Sequence, residues 1–184
     1  LEAIYFLATL NSFHAQTDRQ LVNFLALEDP LPVTRLVGDF TDQEDSHQLE
    51  IRLILENGGN GSSRLRKEIL LDGIRRKLSD TIGCFLAVIF LPQMTRILED
   101  GPEERRRYLN LALSQAIPGY AQALSDYSQA VTQRNALLKQ LAERGGDRDQ
   151  LTFWDAILAR EGAFIIQARA LALEELEQIA SRIH

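Results

Sequence analysis

The stretch Phe85–Asn110, FLAVIFLPQMTRILEDGPEERRRYLN, divides the chain into two halves of different character. Its first seven residues are all apolar, and Pro92 stops them. An apolar run of about four to eight residues closed by a turn signal reads as a buried strand. The spacing therefore predicts a central strand over Phe85–Leu91. Gln93 follows in a loop, where a rigid strand aims one amide side chain at a ligand. A second reading of Gln93 is simple loop capping. Gly101-Pro102 then breaks the chain, and Pro102, Glu103 and Glu104 suit the first turn and positive end of a helix.

Upstream of this stretch the pattern is mostly β. Leu1–Phe13 is the exception, with Leu1, Ala3, Ile4, Phe6, Leu7, Ala8 and Leu10 covering more than one stripe, as in a helix buried on most sides. Asp18 is placed to cap a short helix to about Leu25, ended by Pro30 and Pro32. Val33–Thr41 and Gln48–Glu56 read as strands around the polar turn DQEDSH. Leu49, Ile51, Leu53 and Leu55 alternate with Glu50, Arg52 and Glu56, which predicts one wetted face. Asn57–Ser63 reads as a loop and Lys67–Leu71 as a strand. Asp72-Gly73 is a two-residue hairpin signal leading into Ile74–Lys77. Leu78–Gly83 reads as a short turn or helix.

Downstream the pattern is helical. A helix runs from Pro102 to about Ile117, and Pro118-Gly119 ends it. From Tyr120 to about Arg144 a 3-4 spacing runs through Leu124, Tyr127, Val131, Arg134, Leu138 and Leu141. Gly145-Gly146-Asp147 reverses the chain. Leu151, Trp154, Leu158, Ile165, Ala168, Ala172 and Ile179 continue the spacing. This predicts an antiparallel helix hairpin with a partly coiled-coil seam. Arg134 on that seam is costly unless its head reaches solvent or an acid. The expected fold class is α+β, with a β-rich unit over 1–101 and a helical arm over 102–184.

The 184 residues are 45% hydrophobic and 25% charged, which are ordinary values for a globular chain. The formal net charge of −6 gives no overall basic field. Two basic groups stand out locally: Arg64, Arg66, Lys67, Arg75, Arg76 and Lys77, and then Arg105, Arg106 and Arg107. On a hairpin, the first group reads either as DNA-backbone contacts, salt-dependent and blind to sequence, or as a solvated sheet face. The second reads either as phosphate contacts or, preferably, as salt-bridged helix residues. The single cysteine, Cys84, excludes an internal disulfide and a Cys-based metal site, and suits a reducing, cytoplasmic setting. No apolar run approaches the length of a membrane span. The chain does not begin with Met and opens inside an uncapped helical pattern, which reads as a piece of a longer protein.

No complete catalytic set is present in the sequence. His14, His47 and His184 are far apart and read as surface or loop residues. There is no G-x-x-x-x-G-K-[ST] phosphate loop and no Gly-Lys pair. The Gly58–Gly61 cluster precedes a strand, so it reads as a hairpin loop. Asp72 mimics a strand-end metal ligand, but Gly73 marks a hairpin. Leu78-Ser79-Asp80 has only two letters of an ATPase signature sequence.

Several segments, in order, resemble the RecF family of bacterial DNA replication and repair ATPases, of the SMC/ABC-type class. Leu1–Thr9, LEAIYFLAT, resembles the helix that follows the family's phosphate loop. Phe90-Leu91-Pro92-Gln93, Ile97-Leu98, Gly101-Pro102, Arg105-Arg106 and Tyr108-Leu109-Asn110 follow the family's Pro-Glu/Gln loop and Gly-Pro-x-x-x-Arg-Arg-x-Phe-Leu-Asp run. Pro118-Gly119-Tyr120 and Gln133–Lys139, QRNALLK, match further segments, as do Phe153-Trp154-Asp155 and Gly162-Ala163. The resemblance implies part of an ABC-type ATPase lobe followed by a helical arm. Gln93 falls at the Q-loop position, where the family's amide contacts magnesium and positions the attacking water. ATP and magnesium are implied for the whole protein and none for this piece, which lacks the Walker A, signature and Walker B motifs. Also implied are a homodimer, DNA at single/double-strand junctions, and RecO, RecR and RecA as partners, with no membrane. Leu10, Asn11 and His14 stand where the family has Gly and two Arg residues, and Asn110 where it has Asp. A second expectation is a non-catalytic helical interaction or dimerisation module.

Overall fold

The structure is a computed structural model and describes residues 1–29, 31–42, 44–57, 63–90 and 101–183. Two compact units are present, Leu1–Glu99 and Asp100–His184. The α+β class expected from the sequence is the one observed.

The first unit is built on four antiparallel strands in sequential order: β1 (Val33–Asp42), β2 (Asp45–Asn57), β3 (Ser63–Leu71) and β4 (Ile74–Arg76). Register pairs Leu36 with Ile51, Ile51 with Ile69, and Leu71 with Ile74. The period-2 pattern decides the faces. Leu49, Ile51, Leu53 and Leu55 are all buried on one side. Leu49, Ile51 and Leu53 pack with Ile69 under helix α1 (Glu2–Thr9), which contributes Phe6 and Leu7. Full burial of each such side chain is worth about 1.5–3 kcal/mol. Gly38 on β1 is the point of closest approach. A Cβ there would lie 2.7 Å from Leu7 Cδ1, so the missing side chain lets helix and sheet meet.

Leu10 ends α1 in the left-handed region at φ 57°, at the position where the family resemblance has glycine. That conformation costs an L-residue roughly 1–2 kcal/mol. Leu10 is only 4% exposed, and the burial of its side chain offsets the strain. Lys67 Nζ donates to its carbonyl at 3.0 Å, pairs with Asp18 at 2.7 Å and sits over the Phe6 ring. One lysine thus ties the helix end to β3.

Three expectations need correction in this unit. The segment after Thr17 forms two short 3-10 turns, Asp18–Leu21 and Phe24–Glu28. Their N-caps are Thr17 and Asn23, not Asp18. Ladders also run longer than read, with β2 starting at Asp45 and β3 at Ser63. More consequentially, the described part of the expected central strand, 85–90, joins no ladder. Phe85 makes only an isolated bridge with Ile82. Exposure still alternates as in extended chain: Leu86, Val88 and Phe90 face outward, while Phe85, Ala87 and Ile89 are half-buried. A strand is defined by its ladder, and residues 86–90 carry no strand assignment. The Asp72-Gly73 hairpin forms as read, with φ of 54° and 76° at its two residues. Helix α2 (Leu78–Thr81) follows it as a single turn.

The second unit contains α3 (Pro102–Ala116), α4 (Tyr120–Arg144) and α5 (Leu151–Ile183). Helices α4 and α5 form the expected antiparallel hairpin, with Gly145 and Gly146 at positive φ in the reversal. Three cross-contacts fix the register: Tyr120 with Arg169, Tyr127 with Gly162, and Arg134 with Asp155. Each step is one heptad on both helices, the signature of a coiled-coil seam. Arg134 Nε meets Asp155 at 2.5 Å, which resolves the cost expected of a cation on the seam.

The seam itself is rotated from the one read off the sequence. Ala123 and Ala130 are buried, whereas Tyr127 and Leu138 are each 38% exposed. The buried row therefore runs Tyr120, Ala123, Ala130, with Leu124 and Val131 at its margin. Both alanines are buried at 3% and 1% exposure, although the 3-4 spacing of large residues does not include them. On α5 the expected Ile165 and Ala168 are buried.

Candidate nucleic-acid interface

Gln93, the expected catalytic and magnesium-positioning residue, lies outside the described residues, as do Gly58–Ser62 and His184. The six basic residues expected to meet DNA are all described. They do not form one patch.

Alternation along the ladder sends Arg64 and Arg66 to the face opposite the apolar core, and Lys67 to the core side. The outer face is a charge lattice. Glu50 accepts from Arg35 and from Arg52, each at 2.6 Å, and its side chain is only 8% exposed. The two guanidiniums hold its carboxyl down at about 2. Arg66 is clamped between Glu56 and Glu68, and the Glu56 contact raises its pKa above the ordinary arginine value. Lys67 is engaged at the end of α1. Arg75 approaches Glu68 at 3.5 Å but remains 65% exposed. Arg76 and Lys77 are exposed and make no ion pair among the described residues. Arg64, also exposed, sits opposite Glu56 in register.

The three cations that remain together are Arg75, Arg76 and Lys77, where β4 leaves the sheet. A cavity of about 330 Å³ opens beside them, lined also by Lys67, Glu68 and Leu78. The sequence grouped these residues by proximity. It could not say which would be consumed by neighbouring acids, because pairing with Glu56 on β2, Glu68 on β3 and Asp18 after α1 depends on the fold.

Elsewhere in this unit, Asp72 accepts from Gln48 N–H at 2.8 Å and pairs with His47 Nδ1 at 2.8 Å. The first of these bonds, and then the histidine, lower the Asp72 pKa. The carboxylate in turn raises that of His47, helped by Asp45 and Asp42. The sequence gives His47 no companion, because Asp72 reaches it only through the β3–β4 hairpin. Asn11 Nδ2 bonds to Thr9 O, and the His14 ring packs on Phe13. Neither supplies the cation that the family resemblance has there.

In the helical unit, one polar cluster is held among all three helices. Tyr120 Oη donates to Asn110 Oδ1 at 3.0 Å. Arg169 donates to Tyr120 Oη at 3.1 Å and to Asn110 Oδ1 at 2.7 Å. Tyr120 is completely buried, so its hydroxyl requires such a partner. Nothing in the helical periodicity marked this triad, which depends on the α3–α4 turn.

Among the described residues no group of His, Cys, Asp and Glu is arranged to hold a metal ion, and the sequence has no Gly-Lys pair. No helix among the described residues is long and apolar enough to cross a membrane.

No family model matches the chain. Curated proteins do. The DNA replication and repair protein RecF of Herpetosiphon aurantiacus is 37% identical over 193 aligned positions, covering 100% of this chain and 50% of its own length. RecF of Roseiflexus castenholzii is 36% identical, covering 100% of this chain and 49% of its own. Among solved structures, the recombination mediator protein RecF-ATP in the RecFOR pathway superposes with a TM-score of 0.70 at 30% identity, over 96% of this chain and 44% of that one. RecF-ATPrS gives 0.73 at 31%, over 96% and 45%. In sequence and in fold the chain is RecF-like from end to end, and it spans about half the length of the curated relatives it matches.

Proposed function

We propose that the chain is the part of a RecF-like DNA replication, repair and recombination ATPase that carries Gln93 and the helical arm. The supporting observation is end-to-end similarity to RecF at 37% identity. In this reading residues 1–101 belong to an ABC-type lobe. The all-apolar run at Phe85, with Val88 fully exposed, is consistent with a strand whose neighbours lie in the rest of that lobe. The whole protein binds ATP with magnesium and dimerises in the cytoplasm. It engages DNA at single/double-strand junctions and works with RecO, RecR and RecA. Gln93 is a positioning residue for the attacking water, and the 184 residues alone do not turn over ATP.

A chimera tests this. The chain replaces the matching half of the Herpetosiphon aurantiacus RecF, and ATP hydrolysis is measured with DNA present. The expected result is retained hydrolysis that falls about 10²-fold on Gln93→Ala, the scale of losing one positioning contact. A folded chimera without activity overturns the assignment. Hydrolysis by the isolated chain, abolished by Gln93→Ala, overturns the view that the other residues must come from elsewhere.

A second reading is an interaction module acting through the arm. Beyond the contact of Arg169 with Tyr120, α5 continues to Ile183 and exposes Leu171, Leu173, Leu176 and Ile179. Sedimentation over a concentration series that shows a dimer lost on Leu176→Glu favours this reading.

A further inference from the structure

We propose that the notch where β4 leaves β3 binds backbone phosphates of nucleic acid, with Arg76 and Lys77 as its principal contacts and Arg75 beside them. This rests on the DNA-binding reading above and names the site within it.

The notch arises from the length of β4. That strand pairs only with Ile69, Leu70 and Leu71, and after Arg76 the chain turns away into α2. Among the described residues, 63–68 of β3 therefore pair with no strand on that side. In a two-residue hairpin the residues flanking the turn bond each other, so Leu71 and Ile69 point their backbone groups toward β4. By the same alternation the Lys67 N–H, together with its C=O, points to that side. The cavity beside it, about 330 Å³, is lined by four cations and one acid, Glu68.

The cations are not equivalent. Lys67 is occupied by Asp18 and the Leu10 carbonyl. Glu68 is already matched by Arg66 on the outer face. That leaves Arg75, 65% exposed, together with Arg76 and Lys77, which form no salt bridge among the described residues, although the Asp72 carboxylate lies within electrostatic reach of Arg76. Three cations beside an inward N–H, in a chain of net charge −6, form a local anion site and not a general basic surface. Among the described residues no aromatic side chain lines the notch, and the cations there suit phosphate contacts over base stacking.

The test is fluorescence anisotropy of a labelled duplex with a single-stranded tail, titrated with the 184-residue chain across a salt series. For the wild type, binding weakens linearly on a log-log salt plot. Arg76→Ala/Lys77→Ala lowers that slope by about two and weakens binding on the order of tenfold, while Arg76→Lys/Lys77→Arg restores both. Both side chains are exposed, and an unchanged circular dichroism spectrum verifies that the variants fold. If the double alanine variant keeps the wild-type slope, the notch is not the site although DNA binding stands. If the wild type does not bind the duplex, the DNA reading of this chain falls with it. A parallel titration with inorganic phosphate at constant ionic strength separates the sources. Saturable phosphate binding without duplex binding assigns the notch to a free phosphate and overturns the backbone proposal.

Discussion

In the helical unit, Tyr120, Tyr127 and Arg134 meet Arg169, Gly162 and Asp155, each pair one heptad from the next. In the sheet unit, Phe6 and Leu7 close on Leu49, Ile51 and Ile69, which lie far along the chain and share no repeat with them. The arm is held by a periodic seam crossed by one short turn. The sheet is held by a single helix laid over it and by ion pairs that link all four strands. A seam of this kind loses stability locally when one rung is removed. A sheet core of long-range contacts transmits the loss throughout.

Denaturant unfolding of the two units, followed by Trp154 fluorescence for the arm and far-ultraviolet signal for the whole, can break this contrast. The largest effect is expected from Tyr120→Ala, which empties a fully buried site and leaves Asn110 and Arg169 short of a partner. A loss of about 3–5 kcal/mol confined to the arm transition is expected. An equal shift of the sheet transition would show that the units unfold as one.

Gly38→Val places a branched side chain where Leu7 already sits. Overpacking of about 2 kcal/mol is expected, confined to the sheet unit. Asn110→Asp works in the opposite direction. It converts the bond with Arg169 into a charge-assisted one while the Tyr120 hydroxyl still donates. The arm is expected to gain about 1 kcal/mol. A destabilised variant would mean that the cluster is better served by a neutral acceptor.

The His47–Asp72 pair gives a pH signature that belongs to the sheet unit alone. The His47 pKa is raised above 6.5, so its contribution is complete below that value and fades as pH rises through the folded-state pKa. The Asp72 pKa is lowered below 3.8, so its contribution is present above that value and is lost as pH falls through the folded-state pKa. The bridge therefore stabilises most between about pH 4 and 6.5. Asp42 and Asp45 act on His47 in the same direction, and Arg76 acts on Asp72. A His47→Gln variant should lose the decline in sheet stability above that window, while the arm shows none in either protein. An NMR titration of His47 midpoint below 6.5 would refute the assignment. Arg134→Ala, removing a half-exposed ion pair, is expected to cost less than about 1 kcal/mol, the smallest change of the set.

Periodicity carried much of the fold without tertiary information. Alternation at Leu49–Leu55, the Asp72-Gly73 turn, the Pro102 helix start and the Gly145 reversal are local codes, and each is found where the sequence put it. The family resemblance was also legible, because it rests on ordered short runs such as Gln133–Lys139. Other features were not. The Ala123 and Ala130 seam escaped because burial there follows helix approach and not residue size. Phe85–Phe90 reads as a strand by composition, but pairing is a property of neighbours.

The candidate site shows the same division more sharply. Residue types alone determined that the sheet unit carries excess cations near its hairpin and that the arm is a helix pair. Only tertiary structure decided that Lys67 closes a helix end, that Arg66 is neutralised, and that Arg75, Arg76 and Lys77 remain together. Charge is a property of the side chain, but its availability depends on which opposite charges the fold brings within a few ångströms.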